Sequence, residues 1–90
     1  MIGRKVFYEG RVQGVGFRFT VKALARGYEV LGWVRNLEDG RVELQVTGER
    51  EEVEAFLEAV AESELKSHIK GAQNLPIPPL TGVRGFEILR

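Results

Sequence analysis

Apolar and polar residues recur along this chain in patterns that divide it into short elements. Between Arg4 and Arg11, Val6 and Tyr8 fall on one face with period two and Gly10 closes the run, which predicts a first strand. A glycine-rich turn, Gln13-Gly14-Val15-Gly16, follows. From Phe17 the apolar positions Phe17, Val21, Leu24, Ala25 and Tyr28 lie on one helical stripe, with Gly27 weakening its last turn. Leu31 to Leu37, with Trp33 and Val34, predicts a second strand, and Glu38-Asp39-Gly40 is a hairpin signal. Val42, Leu44 and Val46 then alternate with Arg41, Glu43, Gln45 and Thr47, the clearest period-two pattern in the chain and a third strand buried on one face. After Gly48, four glutamates (Glu49, Glu51, Glu52, Glu54) crowd the start of a second helix, where the helix dipole favours carboxylates. Val53, Phe56, Leu57 and Val60 form its buried stripe, and it is expected to end near Ser63. His68 to Leu75 predicts a weak strand, Pro76, Pro78 and Pro79 mark a loop, and Gly85 to Leu89 predicts a short last strand with Phe86 and Ile88 inward.

This order, βαββαβ with a further strand or an irregular section near the end, is that of the split βαβ unit. It predicts an α+β, ferredoxin-like two-layer α/β sandwich: an antiparallel sheet of four to five strands with two helices on one face. In that topology strand three lies between strands one and two and runs against both, so the C-terminal ends of strands one and two lie together. The turn after strand one and Asn36 at the end of strand two are then expected about 10 Å apart in backbone terms, two interstrand spacings.

Composition narrows the class. The 90 residues, 43% hydrophobic and 29% charged, suit one globular domain over residues 1–90 and neither disorder nor low complexity. The absence of cysteine excludes disulfides, thiolate nucleophiles and cysteine-held zinc, and makes a cytoplasmic location the default expectation. No apolar run approaches the roughly 20 residues of a membrane span, and the N-terminal segment has no apolar core of the signal-peptide kind, so neither membrane insertion nor export is expected. Formal net charge is zero, whereas binders of nucleic acid are normally basic. The charge is nonetheless uneven. Residues 1–41 carry eight basic and four acidic side chains, residues 42–65 one and eight, and residues 66–90 four and one. The first segment is thereby a candidate anion binder and the middle one a solvated acidic helix face.

The candidate anion site is the strand-to-helix turn. Gly14 and Gly16 let successive amides point to one centre, the helix N-terminus adds unsatisfied N–H groups, and Arg18 supplies a planar fork for two phosphate oxygens. Spacing alone equally allows a plain tight turn with Arg18 a solvated helix residue, and Asn36 as the residue that starts a hairpin. Gly14-Val15-Gly16-Phe17-Arg18-Phe19 lacks the third glycine of a dinucleotide fingerprint, and no Gly-Lys-Ser/Thr of a Walker loop occurs. The same segment resembles the RNA-recognition octapeptide only superficially, because Gln13 and Val15 replace its basic and aromatic residues and the segment enters a helix. Trp33 and Tyr8 are expected in core or sheet-face positions, Arg35 as strand decoration, and His68 on the surface.

Two blocks together carry a more specific likeness. Gly10-Arg11-Val12-Gln13-Gly14-Val15-Gly16-Phe17-Arg18, followed by Gly32-Trp33-Val34-Arg35-Asn36-Leu37-Glu38-Asp39-Gly40-Arg41-Val42-Glu43, resembles the acylphosphatase family, and Gly85-Phe86-Glu87-Ile88 resembles its terminal strand. Glu29 departs from the glycine common at the end of the family's first helix, and Glu62-Ser63-Glu64-Leu65 lacks the usual Gly-Pro. The resemblance implies metal-free, cofactor-free hydrolysis of acyl phosphates to carboxylate and inorganic phosphate. It implies phosphate held by the loop Gln13, Gly14, Val15, Gly16 and Phe17 together with Arg18, and water positioned by Asn36. The small acyl phosphate and inorganic phosphate are the expected partners of a monomer, with no nucleic acid and no membrane. A non-catalytic phosphate-binding module on the same fold is the alternative.

Overall fold

In the computed structural model, which describes every residue from Met1 to Arg90, the segment with the clearest alternation lies at the centre of the sheet. The strands are β1 (Ile2–Gly10), β2 (Val30–Asn36), β3 (Val42–Gly48), β4 (Ile69–Ile77) and β5 (Phe86–Ile88). The helices are α1 (Phe17–Ala25) and α2 (Arg50–Ala61), and a 3-10 turn spans Glu64–His68. The sheet order is β4-β1-β3-β2-β5. β3 runs antiparallel to β1 and to β2, so those two strands are parallel and finish at the same end of the sheet. β4 adds antiparallel to β1. β5 pairs with β2 in parallel, so four strands form the expected antiparallel sheet and the fifth makes it mixed. The inward set Phe86 and Ile88 was set by period two, but strand direction depends on where the chain crosses after β4, which periodicity does not encode.

Both helices cover one face of the sheet, α1 over β2 and β5 and α2 over β1 and β3. The period-two residues Val6, Tyr8, Val34, Val42, Leu44 and Val46 meet the helical stripes Phe17, Val21, Ala25 and Val53, Phe56, Val60 in one buried core. Each fully buried Val or Phe contributes about 1.5–3 kcal/mol of transfer free energy. Phe56 sits between two rings, Tyr28 at 6.0 Å and Phe86 at 5.5 Å, so α2, β5 and the turn after α1 meet at one point.

The boundaries differ from the sequence reading where local chemistry intervenes. α1 stops at Ala25 because the amides of Arg26, Gly27 and Tyr28 bond carbonyls three residues back, a tightened last turn at the weak glycine. β4 continues through Pro76 to Ile77. Pro76 lacks an N–H but sits opposite Arg4 on an edge strand, where one missing donor is tolerated. At the two departures from the family pattern, other contacts hold the backbone. The Glu29 amide donates to Glu52 Oε1 at 2.7 Å, and Ser63 Oγ accepts from the Leu65 amide at 3.1 Å while the Leu65 side chain is buried.

The second face of the sheet carries no helix. There Arg35 pairs with the buried carboxylate of Glu43 at 2.8 Å and lies over the Trp33 ring, while Gln45 donates to the other Glu43 oxygen. Arg35 is thus an ordered part of the open sheet face, on the opposite side of β2 from Asn36.

Candidate active site

The chain between β1 and α1 is fixed at both ends. Val12 is completely buried, Val15 packs partly against the core, and the Arg11 amide donates to the carbonyl of His68 at 2.9 Å. Between these anchors Gly14 and Gly16 take φ values of 78° and 77°, in the left-handed region. A Cβ at either position would meet open space, so backbone conformation rather than crowding calls for glycine. None of the amides of residues 14–19 donates to a protein acceptor; the first paired one is Thr20 N–H, bonded to Gly16 O at 3.0 Å. Gly16 is the N-cap of α1 without a side-chain cap, and no acidic residue occupies the first turn. The positive end of the helix and its free donors therefore face outward uncompensated.

Phe17 is buried against Tyr8, with ring centroids 5.0 Å apart. This fixes the start of α1 and sets the next residue, Arg18, at the rim. Arg18 is half-buried, forms no ion pair, and lines a cavity of about 250 Å³ with Phe19, Ile88 and Arg90. Burial also pushes the Tyr8 phenol well above the ordinary tyrosine range, so it stays protonated at neutral pH.

Gln13 is turned toward the β2–β3 hairpin. Its Nε2 donates to Leu37 O at 2.8 Å and to Arg41 O at 3.0 Å, tying the loop to the chain just beyond Asn36. Among the expected loop residues it is the one whose side chain is committed to this tie rather than to the cradle. The hairpin is itself braced: Asp39 accepts from the Arg41 amide and guanidinium, which holds its carboxyl below the usual range. Asn36 closes β2, and its Oδ1 is the one buried side-chain oxygen or nitrogen in the protein with no hydrogen-bond partner.

The loop and Asn36 thus lie at one end of the sheet, with Gln13 tying the loop to the hairpin that follows Asn36 and Arg18 facing the cavity it shares with Ile88. Sequence reasoning did not single out Phe19, Ile88 or Arg90 for the site. Ile88 lies opposite Val34 and the Leu89 amide donates to Val34 O, which brings Arg90 to the cavity that Arg18 lines. Period two marked Phe86 and Ile88 as inward, but Arg90 follows the strand and no pattern marked it. His68, half-buried, ends the 3-10 turn before β4, and no three His, Asp or Glu side chains gather to hold a metal ion. No helix is long and apolar enough to cross a membrane.

The family model described as Acylphosphatase matches residues 4–88. The chain belongs to the acylphosphatase family. It is 40% identical over 88 residues to the acylphosphatase of Bacillus velezensis, covering 98% of each chain. It superposes on the crystal structure of acylphosphatase from Bacillus subtilis with a TM-score of 0.90 at 34% identity, over 100% of both chains. The structure of HypF from T. kodakarensis contains a similar unit, with a TM-score of 0.85 and 32% identity, in 12% of that longer chain. The activity that goes with membership is acylphosphatase activity, the hydrolysis of small acyl phosphates, and the ferredoxin-like sandwich described above is the acylphosphatase fold.

Proposed function

We propose that the amides of residues 14–19 and the Arg18 guanidinium hold the phosphoryl group of an acyl phosphate, and that Asn36 positions the attacking water. The observation that carries this reading is the buried, unpartnered Oδ1 of Asn36 at the sheet end where the uncapped amides lie. An amide oxygen there accepts a hydrogen bond from water and leaves a lone pair of the water oxygen free to approach phosphorus. The new bond joins the water oxygen to phosphorus, the bond from phosphorus to the acyl oxygen breaks, and the carboxylate departs with the electron pair. The water proton passes to the phosphoryl group, giving inorganic phosphate.

The leaving carboxylate has a conjugate acid near pKa ~4, so it needs no general acid. Charge on the equatorial oxygens is met by donors already in place, which is the main demand of phosphoryl transfer. Arg18 and the amides supply positive charge without a metal or cofactor, so the reaction proceeds metal-free in this proposal. The chain acts as a single domain and a monomer, in the cytoplasm. Because no proposed group titrates near neutrality, turnover is expected to be flat there, and a sharp bell near pH 6.5 would refute the assignment of Asn36.

The test is hydrolysis of acetyl phosphate in excess EDTA by the chain and by Arg18→Ala and Asn36→Ala. Activity that resists EDTA and is lost in both variants is expected, with Asn36→Ala still inhibited competitively by inorganic phosphate. Binding of inorganic phosphate without turnover in the unaltered chain would leave a binding module instead.

A further inference from the structure

We propose that Lys22 and Arg26 continue the positive field of Arg18 along α1 and draw the phosphoryl anion toward its site from the α1–β5 side. This rests on the proposed placement of the phosphoryl group at Arg18. Arg18, Lys22 and Arg26 are spaced i, i+4 and i+8, and Arg26, the C-cap of α1, keeps right-handed helical backbone angles, so the three follow one stripe of the helix. At 1.5 Å per residue, Lys22 stands about 6 Å and Arg26 about 12 Å from Arg18 along the helix axis. Lys22 and Arg26 are exposed, none of the three cations is paired to a carboxylate, and α1 contains no acidic residue. The groove between α1 and β5 carries the stripe. Lys22 and Arg26 line a cavity of about 230 Å³ with Ala25, Val30 and Phe86, and Arg18 lines another with Ile88, two residues further along β5.

Helix stability does not account for this series. Cations near a helix C-terminus meet the negative end of the dipole favourably, which suffices for Lys22 and Arg26, but Arg18 in the first turn faces the positive end. The acidic side chains stand instead on the other helix, with Glu51, Glu52, Glu54 and Glu58 on α2. A chain with no net charge therefore attracts anions along α1 and repels them along α2. A phosphoryl group carries close to two negative charges near neutrality. With that dianion at Arg18, Lys22 and Arg26 stand about 10 and 15 Å away, and in water at ~10 mM ionic strength their combined attraction is worth about 5-fold in binding. At ~0.3 M the screening length falls below about 8 Å and most of that gain disappears.

The test is hydrolysis of acetyl phosphate between ~10 mM and ~0.3 M ionic strength by the chain and by a variant carrying both Lys22→Gln and Arg26→Gln. At the low end, kcat/KM is expected to fall about 5-fold through KM with kcat unchanged, and the inhibition constant of inorganic phosphate to rise in parallel. The two proteins should converge as salt is added. Lys5→Gln is the control: Lys5 lies over the Phe7 ring on the face of the sheet that carries no helix, and its loss changes net charge without touching the stripe. Equal kcat/KM for the double variant and the unaltered chain at low salt would overturn the proposal, as would an equal fall in Lys5→Gln. So would a loss that persists undiminished at high salt, or one that falls on kcat alone. Arg18→Ala, run beside them, keeps the two readings apart. If it is inactive at every ionic strength while the double variant behaves as the unaltered chain, the stripe is refuted and the phosphoryl site stands; if it stays active, the phosphoryl site is refuted and the stripe with it.

Discussion

Replacing Gln13 by alanine removes the two hydrogen bonds that tie the β1–α1 loop to the β2–β3 hairpin, at 2.8 and 3.0 Å. Neither acceptor becomes an orphan. Leu37 O still accepts from the Gly40 amide at 3.2 Å, and Arg41 O from the Leu37 amide at 2.8 Å. The desolvation penalty of a buried unsatisfied carbonyl therefore does not apply, and only the net value of the two bonds is lost, about 1–2 kcal/mol. For a domain of this size that lowers Tm by roughly 4–16 °C. The larger effect falls on rate. The tie sets the amide cradle relative to Asn36, one residue before Leu37, and a displacement of about 1 Å between reacting groups costs up to ~100-fold. Thermal melts give the first quantity, and kcat for acetyl phosphate at saturating substrate gives the second. Gln13→Glu should be worse on both counts, because it points a carboxylate at two carbonyl oxygens. An alanine variant with unchanged Tm and unchanged kcat would show that the tie neither holds nor aligns the loop.

Other substitutions probe separate parts of the argument. Arg18→Lys keeps the charge but not the planar fork, so kcat/KM for acetyl phosphate should fall by at least ~10-fold, and near-native turnover would place the phosphate elsewhere. Gly16→Ala meets no steric obstacle but must hold a left-handed φ of 77°, costing about 1–2 kcal/mol and weakening inhibition by inorganic phosphate; unchanged melting and inhibition would remove the glycine from the argument. Burial raises the Tyr8 pKa in the folded state, so the unfolded chain loses that proton first. Stability is held below about pH 10 and falls by up to ~1.4 kcal/mol per pH unit above it, and a Tyr8→Phe variant should melt with a shallower alkaline dependence.

The legibility of the fold followed from how strongly each segment is buried on one side. β3, with Val42, Leu44 and Val46 inward, and α2, with Val53, Phe56 and Val60, were plain because the core fixes their period. β4 was faint because an edge strand leaves Gln73 and Asn74 exposed and admits Pro76, so no alternation marks its end. The glycine loop was visible as a turn that could hold phosphate, but the commitment of Gln13 to carbonyls more than twenty residues away depends on the β1–β3–β2 arrangement. Arg90 was silent for a related reason: its place at the cavity lined by Arg18 depends on β5 pairing in parallel with β2.

That parallel pairing gives the molecule an order of completion during synthesis. Residues through Ile77 suffice for the four antiparallel strands, with both helices and the amide cradle already translated. The outer edge of β2 stays bare until residues 85–89 emerge from the ribosome, because Gly85 O and the Leu89 amide are the partners of Gly32 and Val34. Most of the core, drawn from residues before Ile77, can thus be complete before the strand that carries Phe86 and Ile88 is added. Until then the unpaired backbone beside Trp33 is a strand edge open to a neighbouring chain.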